Sequence, residues 1–151
     1  MILVSACLAG CNCRYDGKNK TVAAVERLLR EGQAIPVCPE QMGGLSTPRL
    51  PSEIVGGSGE DVLSGTARVV DSAGHDVTAQ FIRGAAEVLE LALAVGADTV
   101  VLKERSPSCG STAIYDGTFT GAAIPGMGVT AAMLQTHGIR VSSEESFSEP
   151  Y

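Results

Sequence analysis

Val100-Val101-Leu102-Lys103-Glu104-Arg105-Ser106-Pro107-Ser108-Cys109-Gly110 is the stretch on which the reading of this chain turns. It opens as a short apolar run of the kind buried on both faces of a parallel sheet. The run breaks before Pro107, and a cysteine then stands between a serine and a glycine. In an open α/β sheet, ligand chemistry collects just beyond the carboxyl ends of the strands. Two further apolar runs end the same way: Ile2-Leu3-Val4-Ser5-Ala6 before Cys7, and Ala34-Ile35-Pro36-Val37 before Cys38. Pro36 has no N–H to give to a sheet, which assigns its strand to an edge or a bulge.

Helical spacing fills the intervals. Val22, Val25, Leu28 and Leu29 form one stripe behind a Thr21 cap, and Gly32 closes that helix. The longest helix opens at Thr78, repeats Phe81, Ile82, Ala85, Val88, Leu89, Ala92 and Val95, and stops at Gly96. A last helix over about 128–137 turns Val129, Ala132 and Met133 inward and ends at Gly138, ahead of a short strand Ile139-Arg140-Val141. Residues 41–65, rich in Gly, Pro and Ser, read as one long functional loop, with Gly56-Gly57-Ser58-Gly59 its flexible part. Residues 67–71 and 72–77 read as a small β-hairpin, residues 111–125 as a polar connection, and the tail from Ser142 as frayed. The alternation predicts an α/β fold: a single domain over residues 1–151, with a mainly parallel sheet of about four strands flanked by helices and a small β-hairpin excursion.

Composition narrows the function. The 151 residues carry a formal charge of −6 and only 11 scattered basic residues, which argues against a nucleic-acid partner. No apolar run approaches the length of a membrane span. The first residues lack the basic start of a secretory signal. Five cysteines are therefore expected in a reducing cytoplasm, where clustered thiols serve as metal ligands or catalysts.

The fold itself would gather Cys7, Cys38 and Cys109 at one sheet edge, where three thiolates can hold a metal or an iron–sulfur cluster. A lone cysteine is more often a small buried hydrophobe, and the repetition at strand ends favours a site here. Cys13 is a second candidate in the first loop. The spacing of Cys7, Cys11 and Cys13 matches neither zinc-finger pairs nor thioredoxin-like CxxC. Glu40 stands two residues past Cys38 behind the stiff Pro39, a placement that suits a general base. Ser106 and Ser108 can donate hydrogen bonds to a substrate or to sulfur, and neither histidine is placed to make a nucleophile of them. His75 falls in a turn and His137 at a helix end.

Taken together, Ser5-Ala6-Cys7-Leu8-Ala9-Gly10, Cys13-Arg14-Tyr15-Asp16-Gly17, Cys38-Pro39-Glu40, Gly43-Gly44-Leu45, Pro48-Arg49 and Ser106-Pro107-Ser108-Cys109-Gly110 resemble the small bacterial family that includes the thiouracil desulfurases. The likeness extends through Asp76-Val77-Thr78 and Tyr115-Asp116-Gly117-Thr118-Phe119. It implies a 4Fe–4S cluster on Cys7, Cys38 and Cys109 with one iron free. The implied chemistry is hydrolytic, non-redox removal of sulfur as hydrosulfide from a small thiolated base such as 2-thiouracil. Glu40 and Ser108 would be catalytic, and Ser106 and Arg49 would contact substrate. The rival is a non-catalytic metal or iron–sulfur protein, a sensor or structural plug, with Cys13 as a fourth ligand.

Overall fold

A computed structural model describes residues 1–147. Strand β1 (Ile2–Ser5) runs into a single 3-10 turn over Ala6–Ala9, followed by α1 (Ala23–Arg30) and β2 (Ala34–Val37). Next come a one-turn helix α2 (Pro39–Met42), β3 (Ser52–Val55), α3 (Gly59–Ser64) and β4 (Arg68–Asp71). The long α4 (Thr78–Val95) precedes β5 (Thr99–Leu102), β6 (Ala113–Tyr115), β7 (Ala123–Pro125), α5 (Val129–Thr136) and β8 (Arg140–Ser143).

Four strands make a wholly parallel sheet in the order β2-β1-β5-β8. The two inner strands carry its most apolar residues, and Leu3, Val4, Val100, Val101 and Leu102 are fully buried. Pro36 sits on β2 at the sheet's edge, where its missing N–H costs nothing. From β1 the chain crosses to β2 on one side and later returns past β1 to β5 on the other. Connections that diverge in this way open a crevice at the carboxyl ends of β1 and β5, the place where such sheets hold ligands.

Helix α4 buries Phe81, Ala85, Val88 and Ala92, a stripe at helical spacing, against the sheet and the flanking elements. It also fixes the short α2. A Cβ on Gly84 would lie 1.9 Å from the Pro39 carbonyl oxygen, and one on Gly43 would lie 2.0 Å from that of Gln80. Only glycines allow backbone to meet backbone there, and that contact positions Glu40 on α2. Among the described residues, no helix is long and apolar enough to cross a membrane.

Several expectations need correction. Residues 41–65 are not one loop, since they contain the end of α2, β3 and α3. These elements are too short for periodicity to register, and β3 buries a glutamate, Glu53. Ser58 starts α3, its amide donating to Asp61 Oδ2 at 2.8 Å. Strand β4 pairs antiparallel with β3, Ser52 facing Asp71 and Val55 facing Arg68. The small hairpin expected over residues 67–77 is present beside that pair, through the bridge of Val70 to Asp76, the Asp71 amide donating to the His75 carbonyl at 2.9 Å and the Val77 amide donating to that of Val69 at 2.9 Å. Residues 111–125 hold a second antiparallel pair, β6–β7, with Ile114 buried. Thr21 does not cap α1, because its hydroxyl turns to Asn19 Oδ1 at 2.8 Å and Val22 takes the cap position. The start of the tail is ordered: β8 extends to Ser143, and the Phe147 amide bonds the Ser143 carbonyl at 2.9 Å. The rest of the tail lies outside the described residues.

Candidate active site

The crevice is a cavity of about 660 Å³ lined by Cys7, Cys13, Cys38 and Cys109, with Glu40, Arg49 and Ser106 in the same wall. Cys7 lies in the 3-10 turn directly after β1, and Cys38 caps α2 directly after β2. Cys109 lies in the loop after β5. Cys11 is exposed. Two residues on, the chain folds back and buries Cys13, whose thiol meets those of both Cys7 and Cys38. Cys38 Sγ also approaches the Cys13 carbonyl oxygen at 3.8 Å.

Crowding among these thiols sets their acidity. Contact with Cys38 favours the ionised form of Cys13, yet contact with Cys7, burial and the neighbouring cysteines push it up to about 11. The Cys13 thiol and burial drive Cys38 upward. Burial raises Cys109 to about 12 against the pull of hydroxyls from Ser5 and Ser108, with Glu40 and Cys38 adding to the rise. Neutral Cys13, Cys38 and Cys109 thiols are thus packed where a soft cation would take thiolates, and binding one there releases protons. Among the described residues, no three His, Cys, Asp or Glu side chains converge tightly enough for a single metal ion. The donors are soft and all line one cavity beyond the strand ends, which fits a cluster of several irons.

A polar line runs from these thiols. Ser108, buried, donates to Glu40 Oε2 at 3.1 Å and lies 3.5 Å from Cys109 Sγ. Its oxygen stands 2.9 Å from that of Ser106. Glu40 Oε1 pairs with Arg49 Nε at 3.3 Å. The Arg49 guanidinium also bonds the carbonyls of Ser46 (3.2 Å) and Cys13 (2.9 Å) and the Thr47 hydroxyl (2.9 Å). Four of the five N–H groups of an arginine are therefore held by protein, so Arg49 acts first as a clamp on Glu40 and on the first loop. Ser106 braces the third loop, its hydroxyl oxygen accepting from the amides of Ser108 (3.2 Å) and Cys109 (3.1 Å).

Three supporting groups escaped the sequence reading. Ser5 accepts the Lys103 amide at 2.9 Å and offers its hydroxyl to Cys109, so it bridges β1 and the loop after β5. Glu104, only 2% exposed, collects the amides of Ser111, Thr112 and Ala113 and the Ser111 hydroxyl. The first turn of α5 closes the loop: the amides of Val129, Thr130 and Ala131 take up the carbonyls of Pro107 and Ser108. A Cβ on Gly128 would stand 2.5 Å from the Ser108 carbonyl carbon, so glycine is required at that approach. Ser5 and Glu104 sit in stretches quoted above, and only their burial reveals the role.

Fold and site together define a small α/β protein with a thiol-rich cavity at the switch point of its parallel sheet. The chain belongs to the 2-thiouracil desulfurase family, whose model it matches over residues 2–146. It is 52% identical over 149 residues to the uncharacterized protein YbbK of Bacillus subtilis (strain 168), covering 99% of each chain. Among solved structures it is similar to the 4Fe-4S-dependent thiouracil desulfidase TudS, with a TM-score of 0.85 and 47% identity. That match covers 97% of this chain and 91% of the other.

Proposed function

We propose that this protein is a 4Fe–4S-dependent, non-redox desulfidase that releases hydrosulfide from a thiolated nucleobase such as 2-thiouracil. The observation that carries the reading is the contact between acid–base groups and sulfur: Ser108 touches both Glu40 and Cys109. Cys7, Cys38 and Cys109 would hold the cluster, and free thiols on an open cavity wall fit a reducing cytosol. When bound, the cluster supplies a thiophilic Lewis acid for the substrate's sulfur.

Glu40 accepts a proton from water as its oxygen bonds to the carbon that bears sulfur. The carbon–sulfur bond breaks, and sulfur departs as hydrosulfide with the bonding pair, so no electrons are exchanged. Ser108, in line between Glu40 and Cys109, carries the proton toward the leaving side. Ser106 orients that hydroxyl. Arg49 keeps the Glu40 carboxylate aimed, and its remaining N–H is the one available to substrate.

One observation favours a second reading. Cys13 meets both Cys7 and Cys38, which suits a site closed by four thiolates and a sensor or structural role.

Glu40→Gln separates the two. It keeps shape and an acceptor for Arg49 but loses the basic oxygen. Under the desulfidase reading, 2-thiouracil turnover falls by about a hundredfold to ten-thousandfold, while visible absorbance and iron and sulfide content stay unchanged. Full turnover in this variant, or loss of the cluster, overturns the role given to Glu40.

A further inference from the structure

We infer that Phe119 determines specificity by supplying the flat face on which a planar, aromatic thiolated base stacks; the inference rests on the desulfidase reading. Among the described residues, two that are not glycine adopt positive φ, Arg105 at 66° and Phe119 at 59°, and both line the cavity. Such backbone is costly for a bulky side chain, and it persists only where the surroundings impose it.

Arg105 is accounted for by its neighbours. Its amide faces Glu104 Oε1 at 3.4 Å and its guanidinium pairs with Glu145 at 3.5 Å. Phe119 has no such return. The residue is 37% exposed and, among the described residues, joins none of the three apolar clusters that make the core. The fold nevertheless fixes its backbone with a buried charge. Glu53, 8% exposed, accepts the amides of Gly117 (2.9 Å) and Phe119 (3.2 Å) on one carboxylate oxygen. A buried carboxylate thus holds a strained turn that presents an aromatic ring from outside the core at the wall of the thiol cavity.

The turn satisfies the buried Glu53 carboxylate, but the ring it carries stays outside the core clusters, where a ligand can use it. Aromatic rings stack on bases face to face, largely regardless of which base is offered. Tyr15 and Tyr115 line the same cavity, and Tyr15 is also exposed. Phe119 is the member of this group whose backbone is forced into place, with Glu53 as its positioning residue.

The test compares 2-thiouracil with 5,6-dihydro-2-thiouracil, a puckered analogue with the same thiocarbonyl. Phe119→Asn removes the ring while accepting left-handed backbone. It should raise KM for 2-thiouracil roughly tenfold to hundredfold, leave KM for the dihydro compound nearly unmoved, and leave the melting temperature equal or higher. Phe119→Tyr should restore the native KM. Equilibrium dialysis of the iron-loaded protein with uracil gives the same comparison without turnover, and Phe119→Asn should weaken binding by the same factor. Unchanged KM and uracil affinity in Phe119→Asn overturn the inference while the desulfidase reading stands. A lower melting temperature with a lost cluster also overturns it, because Phe119 would then be structural. A native protein that converts no thiolated base defeats the desulfidase reading, and dialysis still judges Phe119.

Discussion

Replacing Glu104 with glutamine removes one charge from the group that shapes the third cysteine loop. Oε1 of Glu104 receives the amides of Ser111 (2.9 Å), Thr112 (2.9 Å) and Ala113 (3.0 Å), and Oε2 receives the Ser111 hydroxyl at 2.8 Å. Burial alone would raise the carboxyl's pKa, but these converging donors overcome it and hold the group at about 2, against 4.5 ordinarily. At 1.36 kcal/mol per unit the difference corresponds to about 3 kcal/mol, and screening by solvent in the adjoining cavity reduces it to about 2 kcal/mol. Because the folded pKa is depressed, the stabilisation is complete above 4.5 and is lost as pH falls through about 2. Glu104→Gln should therefore lower the melting temperature by roughly 4–8 °C at neutral pH. The gap between the two proteins should narrow steadily below the ordinary carboxylate pKa. Calorimetric scans across a pH series, on protein without added iron, measure both. Equal melting temperatures at neutral pH, or a gap that does not narrow in acid, would refute the argument.

The thiol assignment predicts that Cys7→Ser, Cys38→Ser and Cys109→Ser each abolish iron and sulfide uptake in anaerobic reconstitution, whereas Cys11→Ser, at an exposed position, retains it. Cys13→Ser fixes the ligand count: full uptake is expected, and an empty site would remove the premise of an open iron. Gly128→Ala would press a Cβ to 2.5 Å from the Ser108 carbonyl carbon. It should cost about 1–3 kcal/mol in denaturant unfolding and reduce iron content by displacing Cys109.

Much of this was legible in the sequence because the relevant signals were long or repeated. Three apolar runs, each followed by a cysteine, gave the parallel sheet and its working edge, and Pro36 gave the edge strand. The eighteen residues of α4 showed helical spacing from end to end. What stayed hidden was short or depended on tertiary contact. Strand β3 has four residues and buries Glu53, so its pattern resembles a polar loop. Its partner β4 could not be paired correctly while β3 was unseen. Glu104 reads as a surface charge until three amides from residues 111–113 are seen to surround it. The inward turn of Cys13 depends on Arg49, 36 positions later in sequence.

The way α5 grips the Cys109 loop also governs when the thiol-lined cavity can exist during biosynthesis. A nascent chain that has just exposed Cys109 already carries all five cysteines. It still lacks the amides of Val129, Thr130 and Ala131 that anchor Pro107 and Ser108, and Glu144, whose carboxylate takes the Glu104 amide at 2.8 Å. Strand β8, which completes the sheet beside β5, is made later still. Under the proposed function, loading of iron therefore follows synthesis of residues 129–144, and a ribosome stalled soon after Cys109 would hold an unsheltered set of thiols.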